Sequence, residues 1–144
     1  MNKTIIAIAL ALASFSASAA EPNVSVGYVY DFKQSAPGIR IALNTRTVDL
    51  ATTIVDNQYT RLSVGKTVEV FSMNKLTLNF GVQGVYQNTM YQVVNGYGAS
   101  FGANVAYKYT DKLSVNIGIE QFVAQDRLSA FEGTSGIIGV SLKY

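Results

Sequence analysis

Few residues of this chain could carry out chemistry, because two of the usual catalytic types are missing. The 144 residues include no His and no Cys, which removes the commonest general base, the commonest metal ligand and any thiol nucleophile. A carboxylate pair such as Asp31 and Glu120 could transfer protons in principle. Structural ion pairing accounts for both residues more simply, so the sequence predicts no enzyme activity, no bound metal and no cofactor.

The overall composition narrows the class of protein further. Lys and Arg number 11 and Asp and Glu number 9, a net charge of +2, and there is no basic run, so no nucleic-acid partner is expected. Charged residues make up 14% of the chain, against about 25% in a typical soluble domain. Low charge combined with 12 Gly and nine Tyr favours a membrane β-barrel over a cytosolic protein. The length allows one domain.

The first twenty residues have the features of a cleaved export signal. Lys3 provides a positive charge, Ile5 to Leu12 form an apolar stretch, and Ala17-Ser18-Ala19 fits the cleavage rule. The apolar stretch is too short to span a bilayer, which needs about 20 residues, although a retained N-terminal anchor is the alternative. We therefore expect residues 1–20 to be a secretory signal peptide and residues 21–144 to be the mature domain, exported through the inner membrane to the outer membrane.

The mature chain alternates apolar and polar residues with a period of two, which is the pattern of β-strands with one face of each kind. The clearest case is the segment 97–109, where the odd positions are apolar or aromatic and the even positions are small or polar. No helical stretch is predicted. Eight such strands are expected, near residues 23–32, 38–45, 47–55, 59–71, 76–86, 97–109, 113–122 and 135–144.

The connections between these strands differ in length in a regular way. Tight turns follow the second, fourth and sixth strands, whereas the longest connections, about 87–95 and 123–134, follow the fifth and seventh. Short turns inside and longer loops outside are typical of bacterial outer-membrane barrels, which have an even number of strands. The sequence therefore predicts an all-β fold, an eight-stranded antiparallel up-and-down transmembrane β-barrel with both termini in the periplasm.

The alternation does not by itself say which face of the strands points outward. A membrane barrel would have its apolar face outside, whereas a soluble periplasmic ligand-binding barrel would have its apolar face inside. The polar face is rich in glycine, and small residues suit the narrow lumen of an eight-stranded barrel. Aromatic residues collect near the strand ends, as at the two interfaces of a membrane; Phe122 is placed at the outer rim, and Tyr59 and Phe71 are weaker members on inward positions. The predicted girdle residues are Tyr30, Phe32, Tyr86, Tyr97, Tyr107, Tyr109 and Tyr144.

Charged residues on the inward positions sort into two groups by depth. Each group has two acidic and two basic residues, so ion pairing inside the lumen would make their burial tolerable. Asp31 and Arg40 lie across one hairpin with matching parity and are expected to pair. The lumen should then be filled by side chains, with no open channel. The outer group is Asp31, Arg40, Arg61 and Glu120, and the inner group is Asp49, Glu69, Lys108 and Lys143.

Lys66 does not fit this pattern, since it falls on the lipid-facing parity in the middle of the fourth strand. A lysine at the bilayer midplane costs about 2–4 kcal/mol. A β-bulge at Gly65 would turn Lys66 inward, but Val68 and Val70 keep the outward parity and a single bulge would misplace them. The sequence leaves the facing of Lys66 open.

The end of the chain resembles a known family. Ile138-x-Val140-x-Leu142-x-Tyr144 is similar to the C-terminal signal of the outer-membrane barrel assembly machinery, and Gly102 to Glu120 contains a Tyr-x-Tyr-Thr-Asp-Lys-Leu-Ser turn. Together with the eight strands, these segments resemble the small eight-stranded outer-membrane barrels of the OmpA–OmpX type, including the Ail/Lom surface proteins. The resemblance implies a monomer whose partners are outer-membrane lipid, lipopolysaccharide and the assembly machinery.

Two roles are open for such a barrel. One is a mainly structural role in the outer membrane. The other is that of an adhesin or receptor-type module, which would contact a cell-surface partner through exposed apolar residues of the loops 87–95 and 123–134. Outer-membrane barrel enzymes that rely on a His are excluded, because the chain has none. The candidate contact residues are Met90, Tyr91, Arg127 and Phe131.

Overall fold

The structure is a computed structural model that describes residues 23–45, 47–89, 95–124 and 126–143; for Asp126 and Arg127 it describes the backbone only. The predicted signal peptide, residues 1–20, lies outside this part of the chain. Within the described part, no helix is long and apolar enough to cross a membrane. The strands are β1 Asn23–Asp31, β2 Ala36–Asn44, β3 Asp49–Val55, β4 Tyr59–Met73, β5 Leu76–Thr89, β6 Asn95–Lys108, β7 Leu113–Ala124 and β8 Gly133–Lys143.

Every strand pairs antiparallel with the next one along the chain, and β8 pairs with β1, so the sheet closes into a barrel. In the middle of β1, Gly27 lies opposite Arg40 on one side and opposite Gly139 on the other. Closure pairs the two strand edges that an open sheet would leave exposed. The predicted all-β, eight-stranded, antiparallel up-and-down barrel is confirmed.

The two ends of the barrel have different connections. At the turn end, β1 begins, β8 ends, and short turns join β2 to β3, β4 to β5 and β6 to β7. At the loop end lie the other four connections, including the longest ones. Three tight turns contain a residue in the left-handed region, Ser35, Asn57 and Asn74, with φ between 51° and 55°. Asn adopts this conformation more readily than most residues, because its side chain can bond locally.

Two predicted loops are shorter than expected. β5 continues to Thr89 and β6 begins at Asn95, because Gln87 and Thr89, whose polar side chains suggested a loop, are buried in the lumen. Residues 90–94 lie outside the described part. The expectation of no helix is wrong, since a 3₁₀ helix, Asp126–Phe131, occupies most of the 123–134 connection.

The outer wall of the barrel is apolar and most of its inner face is polar. On β7, Ile117 and Ile119 point outward and are 60% and 61% exposed, whereas the alternate residues Asn116, Gly118 and Glu120 line the lumen. β1, β2, β4, β5, β6 and β8 likewise contribute large exposed apolar side chains. A soluble ligand-binding barrel needs the reverse arrangement, so the alternative of an apolar interior and a polar wall does not fit.

β4 contains one irregularity near the turn end. The register with β5 shifts between Glu69 and Phe71, and the extra residue, Val70, moves Phe71 to the outward side, where it is 58% exposed. Phe71 was expected on an inward position, so that expectation is wrong. The ladder shows no bulge at Gly65, which pairs in register with both neighbouring strands.

Candidate functional site: the barrel lumen

The lumen has two parts of different character. Toward the loop end, apolar and aromatic side chains pack into a cluster, which we call the plug. Toward the turn end, polar residues surround a cavity of about 330 Å³, which we call the chamber. A lumen filled by side chains was predicted, and this is wrong for the turn-end half, because many inward residues there are Gly, Ala or Ser and are too small to meet across the barrel.

The plug is built by five strands and the 3₁₀ helix. The helix lies over the loop end and buries Leu128 and Phe131 completely or nearly so. The Phe131 ring meets the Tyr59 ring edge-on, with 5.8 Å between the centroids. The Phe122 ring fits beside Gly98, where an added Cβ would lie 2.6 Å from its Cε2 atom. The members of the plug are Ala36, Val55, Tyr59, Val85, Phe122, Leu128 and Phe131.

Arg61 lies between two aromatic rings at the base of the plug. Its guanidinium carbon is 4.0 Å from the Tyr59 centroid and 3.8 Å from the Phe122 centroid, a cation–π arrangement that gains strength away from water. Arg61 Nε donates to Gln87 Oε1 at 2.7 Å, and Nη2 donates to the Phe131 carbonyl at 3.3 Å. Arg61 therefore ties β4 to β5 and to the 3₁₀ helix.

Asp31 has different partners from those predicted. It is buried and accepts hydrogen bonds from the Tyr59 hydroxyl and from the backbone amides of Lys33, at 2.9 Å, and Gln34, at 3.0 Å. The predicted ion pair with Arg40 is wrong, because Asp31 lies opposite Ala36 in the ladder, four residues away from the Arg40 level. Asp31 thus closes the β1–β2 turn and holds Tyr59 in the plug.

Arg40 forms the central ion pair of the lumen with Glu120. Arg40 Nη1 is 3.0 Å from Glu120 Oε2, and both side chains are almost buried. The guanidinium also donates to Thr53 Oγ1 at 3.2 Å and to Gln83 Oε1 at 3.0 Å. A buried charge pair is tolerable when further hydrogen bonds satisfy its remaining groups, as they do here. This pair marks the boundary between plug and chamber.

The chamber is lined by amides, hydroxyls and backbone rather than by rings. Asn116 Nδ2 donates to Ser141 Oγ at 2.9 Å, and Asn79 Nδ2 donates to Asn104 Oδ1 at 3.1 Å. A cavity of this size holds roughly ten waters at about 30 Å³ each. Within the described ranges, no three acidic, His or Cys side chains come together as a metal site would require.

Lys66 and Asp49 join at the seam where β3 ends. The β3–β4 ladder stops at the pair Asp49 and Gly65. Lys66 Nζ reaches sideways to donate to the Thr45 carbonyl at 2.8 Å and lies 3.8 Å from Asp49 Oδ1. Asp49 Oδ2 accepts from the Thr67 amide at 2.6 Å. Lys66 therefore keeps its lipid-facing position in the strand, but its ammonium group bends toward the β2–β3 turn and the chamber wall.

The inner charge group does not form the buried, neutral cluster that was predicted. Of that group, Asp49 is buried, whereas Glu69, Lys108 and Lys143 are exposed at the turn end. The reason is that the lumen opens to solvent there, so these side chains keep their hydration. In the outer group, Asp31 and Arg61 each have their own polar partners instead of a shared ion-pair network.

The outward aromatic residues gather toward the two ends. Tyr30 packs edge-on against Phe32 at 5.5 Å between centroids, and Tyr86 lies 5.3 Å from Tyr97, all four near the loop end. At the turn end, Tyr107 and Tyr109 are 43% and 67% exposed. Phe122, expected at the outer rim, instead faces inward and is buried in the plug.

The remaining predicted site residues fall into three cases. Of the C-terminal signal, Ile138, Val140 and Leu142 alternate on the outer wall with 42–56% exposure, and Tyr144 lies outside the described residues. Met90, Tyr91 and the Arg127 side chain also lie outside them. Phe131 is wrong as a surface contact, because the 3₁₀ helix turns it into the plug.

Sequence reasoning missed the residues that build the plug around Arg61. Tyr59 was noted on an inward position but assigned weakly to a girdle, and Gln87 was assigned to a loop. The alternation along β4 and β5 would have identified both residues as inward-facing. Tyr59 lies on the same face of β4 as the buried Arg61, and Gln87 lies on the same face of β5 as the buried Val85. The contribution of the 3₁₀ helix has no comparable signal in the sequence.

No protein-family model matches this chain, and no curated protein matches it either. Solved structures do match. A de novo designed transmembrane β-barrel has a TM-score of 0.63 at 13% identity, covering 88% of this chain and 97% of the designed one. The N-terminal β-barrel domain of Pseudomonas aeruginosa OprF gives 0.63 at 14% identity, covering 88% and 98% of the two chains. Neisserial surface protein A, NspA, gives 0.55 at 13% identity, covering 86% and 95%.

These similarities cover 95–98% of each neighbour. At 13–14% identity they concern the fold and not the biological role. The resemblance to small eight-stranded outer-membrane barrels that the sequence indicated is thereby confirmed at the level of architecture: the chain has the closed antiparallel fold of small transmembrane β-barrels.

Proposed function

We propose that this protein is a small, non-enzymatic β-barrel of the outer membrane with a mainly structural role. The observation that carries the proposal is the outer wall, where large apolar side chains on seven of the strands are about half exposed. Monomeric soluble proteins rarely expose contiguous apolar patches larger than a few hundred Å². A closed barrel with such a wall suits a bilayer, because it also satisfies its backbone hydrogen bonds internally.

The position in the membrane follows from the aromatic residues. The pairs Tyr30–Phe32 and Tyr86–Tyr97 would lie at the interface on the loop end. Tyr107 and Tyr109 would lie at the interface on the turn end, where they are exposed. Such girdles bracket the apolar band of transmembrane barrels. In this placement the turn end faces the periplasm and the loop end faces outside.

The route to the membrane is part of the same proposal. Residues 1–20 would act as the secretory signal peptide, and Ile138, Val140 and Leu142 would present an apolar edge to the barrel assembly machinery. The mature chain would then stand as a monomer in contact with phospholipid and lipopolysaccharide. The closed ring supports a monomer, because it leaves no long strand edge that requires a second copy.

A gel experiment on the mature chain, residues 21–144, tests the membrane proposal. The chain should need detergent to stay in solution, and the folded barrel should migrate differently before and after boiling. Ile117→Lys on the wall should lower the yield of folded protein in vesicles, since a midplane lysine costs about 2–4 kcal/mol. The neighbouring variant Asn116→Lys, in the chamber, is the matched control and should fold normally. A monomer that stays soluble without detergent would refute the proposal.

A second candidate role is contact with a cell-surface partner. It is favoured by the length of the β5–β6 hairpin, whose two strands have 14 residues each. Asn88 and Asn95 form the last ladder pair of this hairpin and are exposed at the loop end. Removing residues 90–94 should abolish cell-surface contact while the heat-dependent gel shift persists. Asp56→Ser in the β3–β4 turn at the same end is the control. Unchanged contact after the deletion would exclude this loop as the contact surface.

A further inference from the structure

One carboxylate oxygen in the chamber wall has no hydrogen-bond partner. Asp49 lines the chamber and is 2% exposed; its Oδ2 atom accepts from the Thr67 amide at 2.6 Å, whereas its Oδ1 atom is buried without a donor. Lys66 Nζ is 3.8 Å from Oδ1, beyond hydrogen-bond distance, and instead donates to the Thr45 carbonyl at 2.8 Å. A buried acceptor without a donor lowers stability, so a donor from a bound molecule would be stabilising at Oδ1.

A second acceptor of the same kind lies two strands away on the inner wall. Asn23 pairs with Asn44 in the β1–β2 ladder, and Asn44 pairs with Asp49 in the β2–β3 ladder, so the three side chains form a row on one face of the sheet. All three line the chamber, and Asn23 Oδ1 is likewise buried without a hydrogen-bond partner. Two strand spacings are about 10 Å, which a single molecule with donors along a short chain can span.

The charged residues that line the chamber cancel one another. Arg40 and Glu120 pair at 3.0 Å, Lys66 and Asp49 lie 3.8 Å apart, and no other charged residue among those described lines the chamber. A cation at Asp49 Oδ1 would be repelled by Lys66, and an anion at Lys66 would be repelled by Asp49. A hydroxyl both donates and accepts, so it can donate to Oδ1 and accept from the ammonium group. The site therefore favours a neutral ligand that carries hydroxyls.

The rest of the chamber wall suits a ligand with several hydroxyls. Serine hydroxyls and asparagine amides can each donate and accept hydrogen bonds. Among the described residues, no aromatic side chain lines the chamber, so it has no surface on which a planar ring would stack. A flexible chain fits this wall better than a ring. The serines and the remaining asparagines of the wall are Ser25, Ser100, Ser114, Ser141, Asn79, Asn104 and Asn116.

We propose that the chamber binds a small, neutral, acyclic polyol, with one hydroxyl between Asp49 and Lys66. The cavity of about 330 Å³ has the volume of roughly ten waters, so it accommodates a polyol of roughly ten non-hydrogen atoms. Asn23, Thr45 and Ser114 line the chamber at the turn end and are partly exposed, so the chamber reaches solvent there. The site lies inside the barrel and goes beyond the proposed structural role; it does not depend on the membrane.

The test uses the mature barrel, residues 21–144, in a zwitterionic detergent, with xylitol as the probe and amide NMR as the readout. Saturable shifts should appear at Thr67, whose amide donates to Asp49, and at the chamber residues Ser114 and Ser141. The amide of Phe131, in the plug, should not respond. Two relatives of xylitol should bind at least about fivefold more weakly: pentanediol, which lacks the inner hydroxyls, and xylonate, which carries a negative charge.

An isosteric variant tests the position of the hydroxyl. Asp49→Asn keeps the size of the side chain, and the Thr67 amide holds the remaining oxygen, so a second donor replaces Oδ1. Xylitol binding should weaken by about tenfold, because the hydroxyl loses its acceptor. Glu69→Gln is the matched control and should bind as the parent does, since Glu69 is exposed at the same end and does not line the chamber.

A space-filling variant tests the location without changing Asp49. Ala106 lines the chamber, and Ala106→Phe should weaken xylitol binding by more than about tenfold, because the ring occupies the space of the ligand. Ala99→Phe is the control on the same strand, since Ala99 lies between the outward residues Tyr97 and Phe101. Each variant must keep the heat-dependent gel shift, which shows that it is folded; if Asp49→Asn does not fold, the Ala106 variant decides.

Two results would overturn the proposal. One is the absence of any saturable response to xylitol, which would mean that the chamber binds water only. The other is equal binding by the parent and by folded Asp49→Asn or Ala106→Phe, which would place the polyol outside the chamber. The membrane proposal is judged separately, by the need for detergent and by the gel shift of the parent, so neither result would affect it.

Discussion

Gly98 leaves room for the Phe122 ring, and the plug depends on that space. An added Cβ would lie 2.6 Å from the Phe122 ring and 2.4 Å from the Val123 carbonyl oxygen. We expect Gly98→Ala to lower the free energy of unfolding by about 1–3 kcal/mol, the usual effect of overpacking. Gly84→Ala is the matched control, because its Cβ would meet nothing closer than 3.8 Å. Urea unfolding in lipid vesicles measures both; equal stability of the two variants would contradict the packing described.

Arg61 contributes to stability through the groups that it satisfies. Arg61→Met keeps the aliphatic packing but leaves the Gln87 side-chain oxygen and the Phe131 carbonyl without the donors they have now. A buried acceptor without a partner costs about 1–3 kcal/mol, so the free energy of unfolding should fall by about 2 kcal/mol or more. Lys33→Met, at an exposed position in the β1–β2 turn, is the control and should change the free energy of unfolding by less than about 0.5 kcal/mol. An Arg61→Met barrel as stable as the parent would show that these bonds contribute nothing.

Among the elements, the 3₁₀ helix has the clearest consequence for passage through the barrel. It places Leu128 and Phe131 over the loop end, above the Tyr59 and Phe122 rings. In planar bilayers the parent should show no stable conductance, because the plug closes the lumen. Replacing both Leu128 and Phe131 by Ala should produce brief openings, whereas Ala130→Ser on the exposed side of the helix should not. A large, steady conductance in the parent would contradict a closed plug.

The strands could be predicted from the sequence, but the partners within the lumen could not. Alternation with a period of two fixes which residues face outward, as for Ile117 and Ile119. Charge partners depend on the register between strands. Asp31 lies four residues from the level of Arg40 in the β1–β2 ladder, and Arg40 pairs with Glu120 instead. The seam at Lys66 has the same origin, since it exists because β3 ends before β4 does.

The chamber and the plug were beyond sequence reasoning for a different physical reason. Both depend on how side-chain volumes from several strands add up at one level of the barrel. Small residues such as Gly102 and Ser141 leave a cavity at one level, while Tyr59 and Phe122 fill the lumen at another. Alternation reports the face of each residue but not the residues that meet it across the lumen.

At the scale of the whole molecule, the barrel combines an apolar wall, a plug at the loop end and a polar chamber at the turn end. The wall sets the environment, since an apolar exterior of this extent is stable in lipid and not in water. The plug fills the lumen toward the loop end, and the chamber lies toward the turn end. These features follow from one closed ladder of eight strands.

Single-Cys labelling along β7 tests the central claim, that the outward face of this barrel contacts lipid. The chain has no Cys, so each introduced Cys carries a single spin label. In bilayers, labels at 115, 117 and 119 should be relaxed preferentially by oxygen, which concentrates in lipid. Labels at 114 and 116 should respond to a water-soluble relaxing agent that enters the chamber. Equal responses at all five positions, or greater water access at 115, 117 and 119, would contradict a membrane-spanning barrel.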